Sequence, residues 1–193
     1  MLYELEKTTY PKIIPLFEST GYSQLFVDAV LEGHHVGRVF VDDPQCPAAA
    51  LVAPLCEFFF LAGQADNAAF NQAMRERILA EFVSPDGDLL LFPTSAVWQS
   101  ALEALFGDFK LLRVARKAFT FDPERFAAKH ATWREQIPAG YTIRRYDRKL
   151  AEETELTDFW GSLDNFLAHG VGFALMKGDE IVSRCHSVMV GGG

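Results

Sequence analysis

Few side chains in this sequence are chemically capable and also unexplained by simpler needs. Glu57 is the first, the single charge in the apolar stretch 54–62. A carboxylate in such a setting can take a proton as a general base. Strand alternation offers a blander reading, with Glu57 on a solvent or sheet-edge face. The passage Leu61-Ala62-Gly63-Gln64-Ala65-Asp66-Asn67-Ala68 runs from an apolar segment into a helical pattern through one glycine. Glycine turns at helix N-termini can cradle an anion on backbone N–H groups. Here Asp66 would repel a phosphate, and it reads instead as a helix N-cap. His34 and His35 are adjacent, so their rings point different ways, and no third ligand follows at metal spacing. They read as loop or turn residues, with no metal site. His169 and His186 stand alone and read as structural. Cys46, Cys56 and Cys185 are odd in number and widely spaced, which fits neither a disulfide framework nor a metal cluster. They read as two small core residues and one loop thiol. Thr94 and Ser95 lack the glycine-flanked context of a nucleophilic serine.

Composition narrows the function classes further. The 193 residues are 49% hydrophobic and 23% charged, with 26 acidic against 18 basic side chains and a formal charge of −8. That balance disfavours nucleic acid, whose binders gain most of their affinity by neutralising phosphates. The 17 Phe suggest a core rich in aromatic rings. The longest apolar region, 46–62, is broken by Pro47, Pro54 and Glu57, so no segment has the length a membrane helix needs. The acidic N-terminus lacks a signal-peptide pattern. A soluble, cytoplasmic protein with no membrane partner is expected.

The elements that must position these groups follow from periodicity. Two short helical faces precede Gly21 and Gly33. A strand over 37–41 closes in the turn Asp42-Asp43-Pro44, and strands over 48–53 and 56–61 follow. Phe70, Met74, Ile78 and Phe82 repeat at i+4 as one buried helical stripe. A strand over 89–92 leads to a helix capped by Thr94 or Ser95, with Val97, Ala101, Leu102 and Leu105 inward. Residues 109–121 alternate and predict one long strand or a bent pair. Asp122-Pro123 opens a polar helix over 124–135, with Phe126, His130 and Trp133 as its sparse apolar face. Then come a strand over 141–146, a helix from 147 to about 160, a short helix over 163–169, and strands over 171–176 and 180–190. The later order looks like the start of the earlier one with a strand added, a structural repeat whose second copy is unfinished.

This order resembles the GNAT acetyltransferase superfamily. The segments Phe159-Trp160-Gly161-Ser162, Phe166-Leu167, Gly170-Val171-Gly172-Phe173 and the run from Gly178 to Cys185 are similar to the branch that includes the zwittermicin A resistance acetyltransferase. The run from Gly37 to Pro44 and residues 59–63 resemble the same branch. The resemblance implies an α/β (α+β) fold, a mixed central sheet flanked by helices. That sheet opens between its fourth and fifth strands, with acetyl-CoA in the splay. It implies a GNAT-like N-terminal domain over 1–121, a connector over 122–140, and the opening β-α-α-β-β of a second unit over 141–193, truncated before the cofactor loop. The activity implied is acetyl transfer from acetyl-CoA to a small-molecule amine. The family's pyrophosphate turn has the form Gln/Arg-x-x-Gly-x-Gly/Ala; Gly63, Gln64 and Asn67 form its degenerate counterpart. Binding of acetyl-CoA by this chain alone is therefore not expected, and the alternative role is substrate recognition or dimerisation. Under the same resemblance Glu57 is the base and Trp160 a substrate-pocket residue. The strand over 180–190 is left as a sheet edge, expected to be covered by the first sheet or by a second copy in a homodimer.

Overall fold

The structure, a computed structural model, describes the chain apart from residues 19–21, 56–57, 83–88, 116, 118, 131, 155 and 192–193. The chain opens with strand β1 (Tyr3–Glu4), a 3-10 turn over Lys7–Ile13, and helices α1 (Ile14–Phe17) and α2 (Tyr22–Leu31). Strands β2 (Gly37–Val41), β3 (Ala49–Pro54) and β4 (Phe58–Gly63) follow, then α3 (Ala68–Glu81), β5 (Leu90–Pro93) and α4 (Ala96–Leu105). These strands form one mixed sheet in the order β1-β2-β3-β4-β5. Neighbours are antiparallel through β4, and β5 runs parallel to β4.

Period-two alternation divides the apolar side chains between two cores. On one face Val39, Val52 and Phe60 pack with Ile13, Phe17, Phe26 and Val30 of the opening helices. On the other, Leu51, Phe59 and Leu61 pack with Phe70, Met74 and Ile78 of α3 and with Trp98 and Leu102 of α4. Strand β3, buried at every position, contains no charged residue, as a strand covered on both faces requires. Stacked rings continue the first core, with Phe60 4.7 Å from Phe92 and 5.1 Å from Phe26. The fold is thus a mixed sheet flanked by helices, as the sequence indicated.

Helix α5 (Pro123–His130) and a 3-10 turn over Trp133–Gln136 lead to a second sheet. Its strands are β6 (Tyr141–Arg145), β7 (Gly172–Lys177) and β8 (Glu180–His186), in the order β6-β7-β8 and antiparallel throughout. Between β6 and β7 lie α6 (Arg148–Glu152), α7 (Thr157–Trp160) and α8 (Leu163–His169). Leu150, Trp160, Phe166, Ala174 and Met176 form its core. Strand β1 gives the first sheet the same opening as the second: a strand, helices, then two antiparallel strands.

Several sequence expectations are corrected. Residues 109–121 form no strand among their described positions, and Leu112 (75% exposed) and Phe119 (88%) face solvent. Alternation favours a strand only where a neighbour supplies ladder partners; here the segment is held by an Arg113–Glu103 ion pair at 2.7 Å instead. The helix expected over 147–160 is divided, because Thr154 Oγ1 donates back to the carbonyls of Leu150 and Ala151 where α6 ends. Helix α3 is capped by Asn67, whose Oδ1 accepts from the Phe70 amide at 3.1 Å, and not by Asp66. In α4 Ala101, Leu102 and Leu105 face the core as expected, but Val97 is 66% exposed and Trp98 is fully buried instead. Strand β8 stops at His186: the Ser187 amide still meets the Val171 carbonyl at 2.8 Å, but the Val171 amide donates to Ser187 Oγ at 2.9 Å in place of the Ser187 carbonyl. The strand pairs with β7 and is not joined to the first sheet. Cys46 and Cys185 are both exposed, so they are not core thiols; Cys56 lies outside the described residues.

Candidate functional site

The turn after β4 is built by internal demands. Gly63 has φ +82°, and a Cβ there would stand 2.1 Å from the Ala48 carbonyl oxygen. Close approach of β3, together with the left-handed backbone, therefore accounts for this glycine. The Gln64 amide donates to Ala48 at 2.8 Å, and the Asn71 amide to the Asn67 carbonyl at 2.9 Å. Asn67 Nδ2 reaches Asp42 Oδ2 at 3.3 Å, tying the cap of α3 to the β2–β3 turn. Burial works to raise the Asp42 pKa, yet donation by the Ala49 and Ala48 amides and by Asn67 outweighs it and holds the carboxyl below its ordinary value.

The wedge between β4 and β5 is also filled. The two strands pair from Phe58↔Leu90 to Leu61↔Pro93, and the Thr94 amide extends the ladder to Leu61 at 3.2 Å. Beyond it, Trp98 Nε1 donates to the Gly63 carbonyl at 2.9 Å. An anion at this turn would find the Gln64, Phe70 and Asn71 amides already engaged and Asp66 beside it. Gly63, Gln64 and Asn67 do not fit a cofactor pyrophosphate.

A different arrangement appears where the two sheets' helices meet. The loop after α2 lies against α7 and α8. The Val36 amide donates to the Phe159 carbonyl at 2.8 Å. The Val36 carbonyl accepts from the Leu55 amide at 2.9 Å and faces His35 Nδ1 at 2.7 Å. Asn165 Nδ2 donates to the His34 carbonyl at 3.1 Å and to that of Trp160 at 2.8 Å. Such polar ties fix the mutual placement of backbone segments that share little apolar contact.

At this junction a cleft of about 540 Å³ is lined by Leu55, Asp158, Phe159 and Gly161. Leu55 comes from the first half, the other three from the second. Gly161 has φ +71°, and a Cβ there would press on Val36 Cγ2 at 2.8 Å, so glycine lets the α7–α8 turn approach the loop. Among the described residues Asp158 is the one charged residue of the lining, and Phe159 presents a ring beside it. An anionic, partly aromatic cleft suits a cation.

His34 and His35 lie in the turn after α2, as expected, and His35 is buried there at 3% exposure. His169 is not isolated, since its ring lies 4.1 Å from that of His34. Trp160 is in the core of the second half, its Nε1 donating to the Ser187 carbonyl at 3.3 Å. Its neighbours Phe159 and Gly161 line the cleft, because one helical turn sends adjacent side chains to different sides. Glu57 lies outside the described residues. Leu55 and Asp158 were not singled out by sequence, and only the motif around Phe159 pointed near them. Among the described residues, no group of three metal-ligating side chains occurs, and no helix is long and apolar enough to cross a membrane.

Comparisons with known proteins bear on this geometry. Residues 14–193 match the sequence profile of a family described as GNAT acetyltransferase. The chain is 27% identical over 197 residues to an uncharacterized N-acetyltransferase, YdfB, of Bacillus subtilis (strain 168), covering 99% of this chain and 72% of that relative. In fold it is similar to a GCN5-related N-acetyltransferase-like protein from Streptococcus suis 89/1591, with a TM-score of 0.61 and 21% identity over 94% of this chain and 70% of the other.

Proposed function

The chain belongs to the GNAT acetyltransferase family, and from that premise we propose that it takes part in acetyl transfer from acetyl-CoA to a small-molecule amine, with the amine held in the cleft between the two halves. The observation that carries this reading is the cleft's lining: the carboxylate of Asp158 beside the Phe159 ring and the Leu55 side chain. At neutral pH an aliphatic amine is an ammonium ion, and a carboxylate with a ring face is a suitable receptor for it. Leu55 then contacts the apolar part of the acceptor. Both halves contribute to the lining, so the first half has a part in acceptor binding.

The first-half turn at Gly63 is a structural turn in this proposal, and acetyl-CoA is bound elsewhere. Family membership supports the choice of donor; the tight β4–β5 pairing and the Trp98 plug support keeping the donor out of the first sheet.

The test is release of free CoA thiol from acetyl-CoA across a panel of aliphatic and aromatic amines, with the same amines titrated by calorimetry. Amine-dependent thiol release, weakened for Asp158→Asn through KM, is the expected result. Thiol release that ignores the amine, or amine binding unchanged in Asp158→Asn, would overturn the assignment of the cleft.

A further inference from the structure

The His35 side chain is the most unusual polar group at the junction. It is 3% exposed, and its Nε2 is buried with no hydrogen-bond partner among the described residues. Its Nδ1 lies 2.7 Å from the Val36 carbonyl, an acceptor, so Nδ1 carries the proton and Nε2 presents a bare lone pair. The ring lies 5.7 Å from the Phe159 ring, directly behind a wall of the cleft. Val36, whose carbonyl His35 faces, joins both walls through the two sides of its backbone. It donates to Phe159 and accepts from Leu55.

We propose that His35 is a positioning residue of the cleft: as the neutral imidazole it is packed behind Phe159 and holds the carbonyl of Val36, the residue whose backbone ties Leu55 to Phe159, and its protonation releases both walls. A second proton would sit on Nε2, in a site with no acceptor for it. A buried charge without a partner is strongly disfavoured, so the imidazolium must move to water. Since the ring's other nitrogen is bonded to Val36, the loop moves with it.

The charged and titratable groups around His35 do not relieve this. On α2 the group is Asp28, and in the turn after it Glu32, 3.2 Å from His34 Nδ1. His34 itself stacks on His169 of α8. On α7, Asp158 faces the cleft. None is a partner of His35 Nε2. Burial accordingly pushes the His35 pKa down, only partly opposed by its bond to Val36. The closed junction therefore binds the proton more weakly than the open one does. Above the ordinary histidine value of about 6.5 both states are neutral and the closed junction has its full stability. As pH falls below that value, the open state takes up the proton first and the closed junction is progressively lost.

The positioning role rests on the assignment of the cleft to the amine; the structural switch does not. Hydrogen exchange read by mass spectrometry on the peptides carrying Val36 and Leu55 tests the switch without acetyl-CoA or amine. After correction for intrinsic exchange, protection at pH 5 is expected to be at least about fivefold lower than at pH 7.5. His35→Phe, which packs the site without a titrating group, is expected to hold protection level across that range; His35→Gln serves in its place if the Phe variant does not fold. His169→Phe should retain the pH dependence. Flat protection in the unaltered protein overturns the proposal, and so does pH dependence that survives in His35→Phe or vanishes in His169→Phe. Amine KM measured across the same pH range then tests positioning: a rise at low pH absent from His35→Phe supports it, and a KM profile shared by both proteins overturns it. Failure of the exchange result leaves the acetyl-transfer reading intact, and failure of thiol release leaves the exchange result intact.

Discussion

The Val36 amide donates to the Phe159 carbonyl at 2.8 Å, across 123 residues of sequence, and joins the loop after α2 to the helix that lines the cleft. The backbone of this one residue thereby links Leu55 of the first half to Phe159 of the second, since the Val36 carbonyl receives the Leu55 amide. The tie depends on the close approach that Gly161 allows. Gly161→Val would force a side chain into Val36 and place a β-branched residue at positive φ, at a penalty above about 1 kcal/mol. The expected outcome is faster exchange of the Val36 amide, with a raised KM for the amine if the cleft binds it.

Asp158→Asn should raise the amine KM by about two- to fivefold with little change in kcat, the scale of an exposed carboxylate–ammonium contact. Steady-state kinetics at two salt concentrations checks this. The difference between the proteins should shrink as salt rises.

Trp98→Ala removes a fully buried indole and should destabilise the first half by about 3–5 kcal/mol, measured by urea unfolding. Trp98→Phe keeps much of the ring volume but leaves the Gly63 carbonyl without its donor, a loss of about 1–2 kcal/mol. The smaller effect of Phe would assign the difference to cavity formation.

Asn67→Ala should lower stability by about 1 kcal/mol through loss of the α3 cap. If the Gly63 turn is structural, the KM for acetyl-CoA should not change in this variant. A selective rise in that KM would return the turn to cofactor binding.

Asp42 accepts from the Asp43, Ala48 and Ala49 amides, each at 3.0 Å, and from Asn67. Its carboxyl is held below the ordinary value, so its contribution is complete above about pH 4 and is lost as pH falls through the lowered folded value. Asp42→Ala should destabilise by about 2–3 kcal/mol at pH 7. The two proteins should converge in stability toward pH 2, which acid titrations of urea midpoints would show.

Much of the fold was legible in sequence because it follows from local patterns. The i+4 stripe of Phe70, Met74 and Ile78 is buried in α3, and Ser95 caps α4 by accepting from the Trp98 amide. Asp122 likewise accepts from Arg125 at the start of α5. The failures are also local readings, made where a distant partner decides. Residues 109–121 have the alternation of a strand and no ladder, and Val97 and Trp98 are equally apolar neighbours of which only one meets the sheet. Glycine at position 63 was legible as part of an ordinary strand-to-helix turn, but the backbone it must clear belongs to Ala48, fifteen residues earlier.

The sequence by itself determined the family, the mixed α/β architecture and most helix and strand positions, since periodicity, caps and turn residues act over a few residues. Tertiary structure alone decided that the β4–β5 wedge is closed by Trp98, that His35 is buried, and that Leu55, Asp158, Phe159 and Gly161 meet at one cleft. Those outcomes depend on contacts between residues a hundred positions apart, where packing and backbone hydrogen bonds choose among side chains that sequence pattern leaves equivalent.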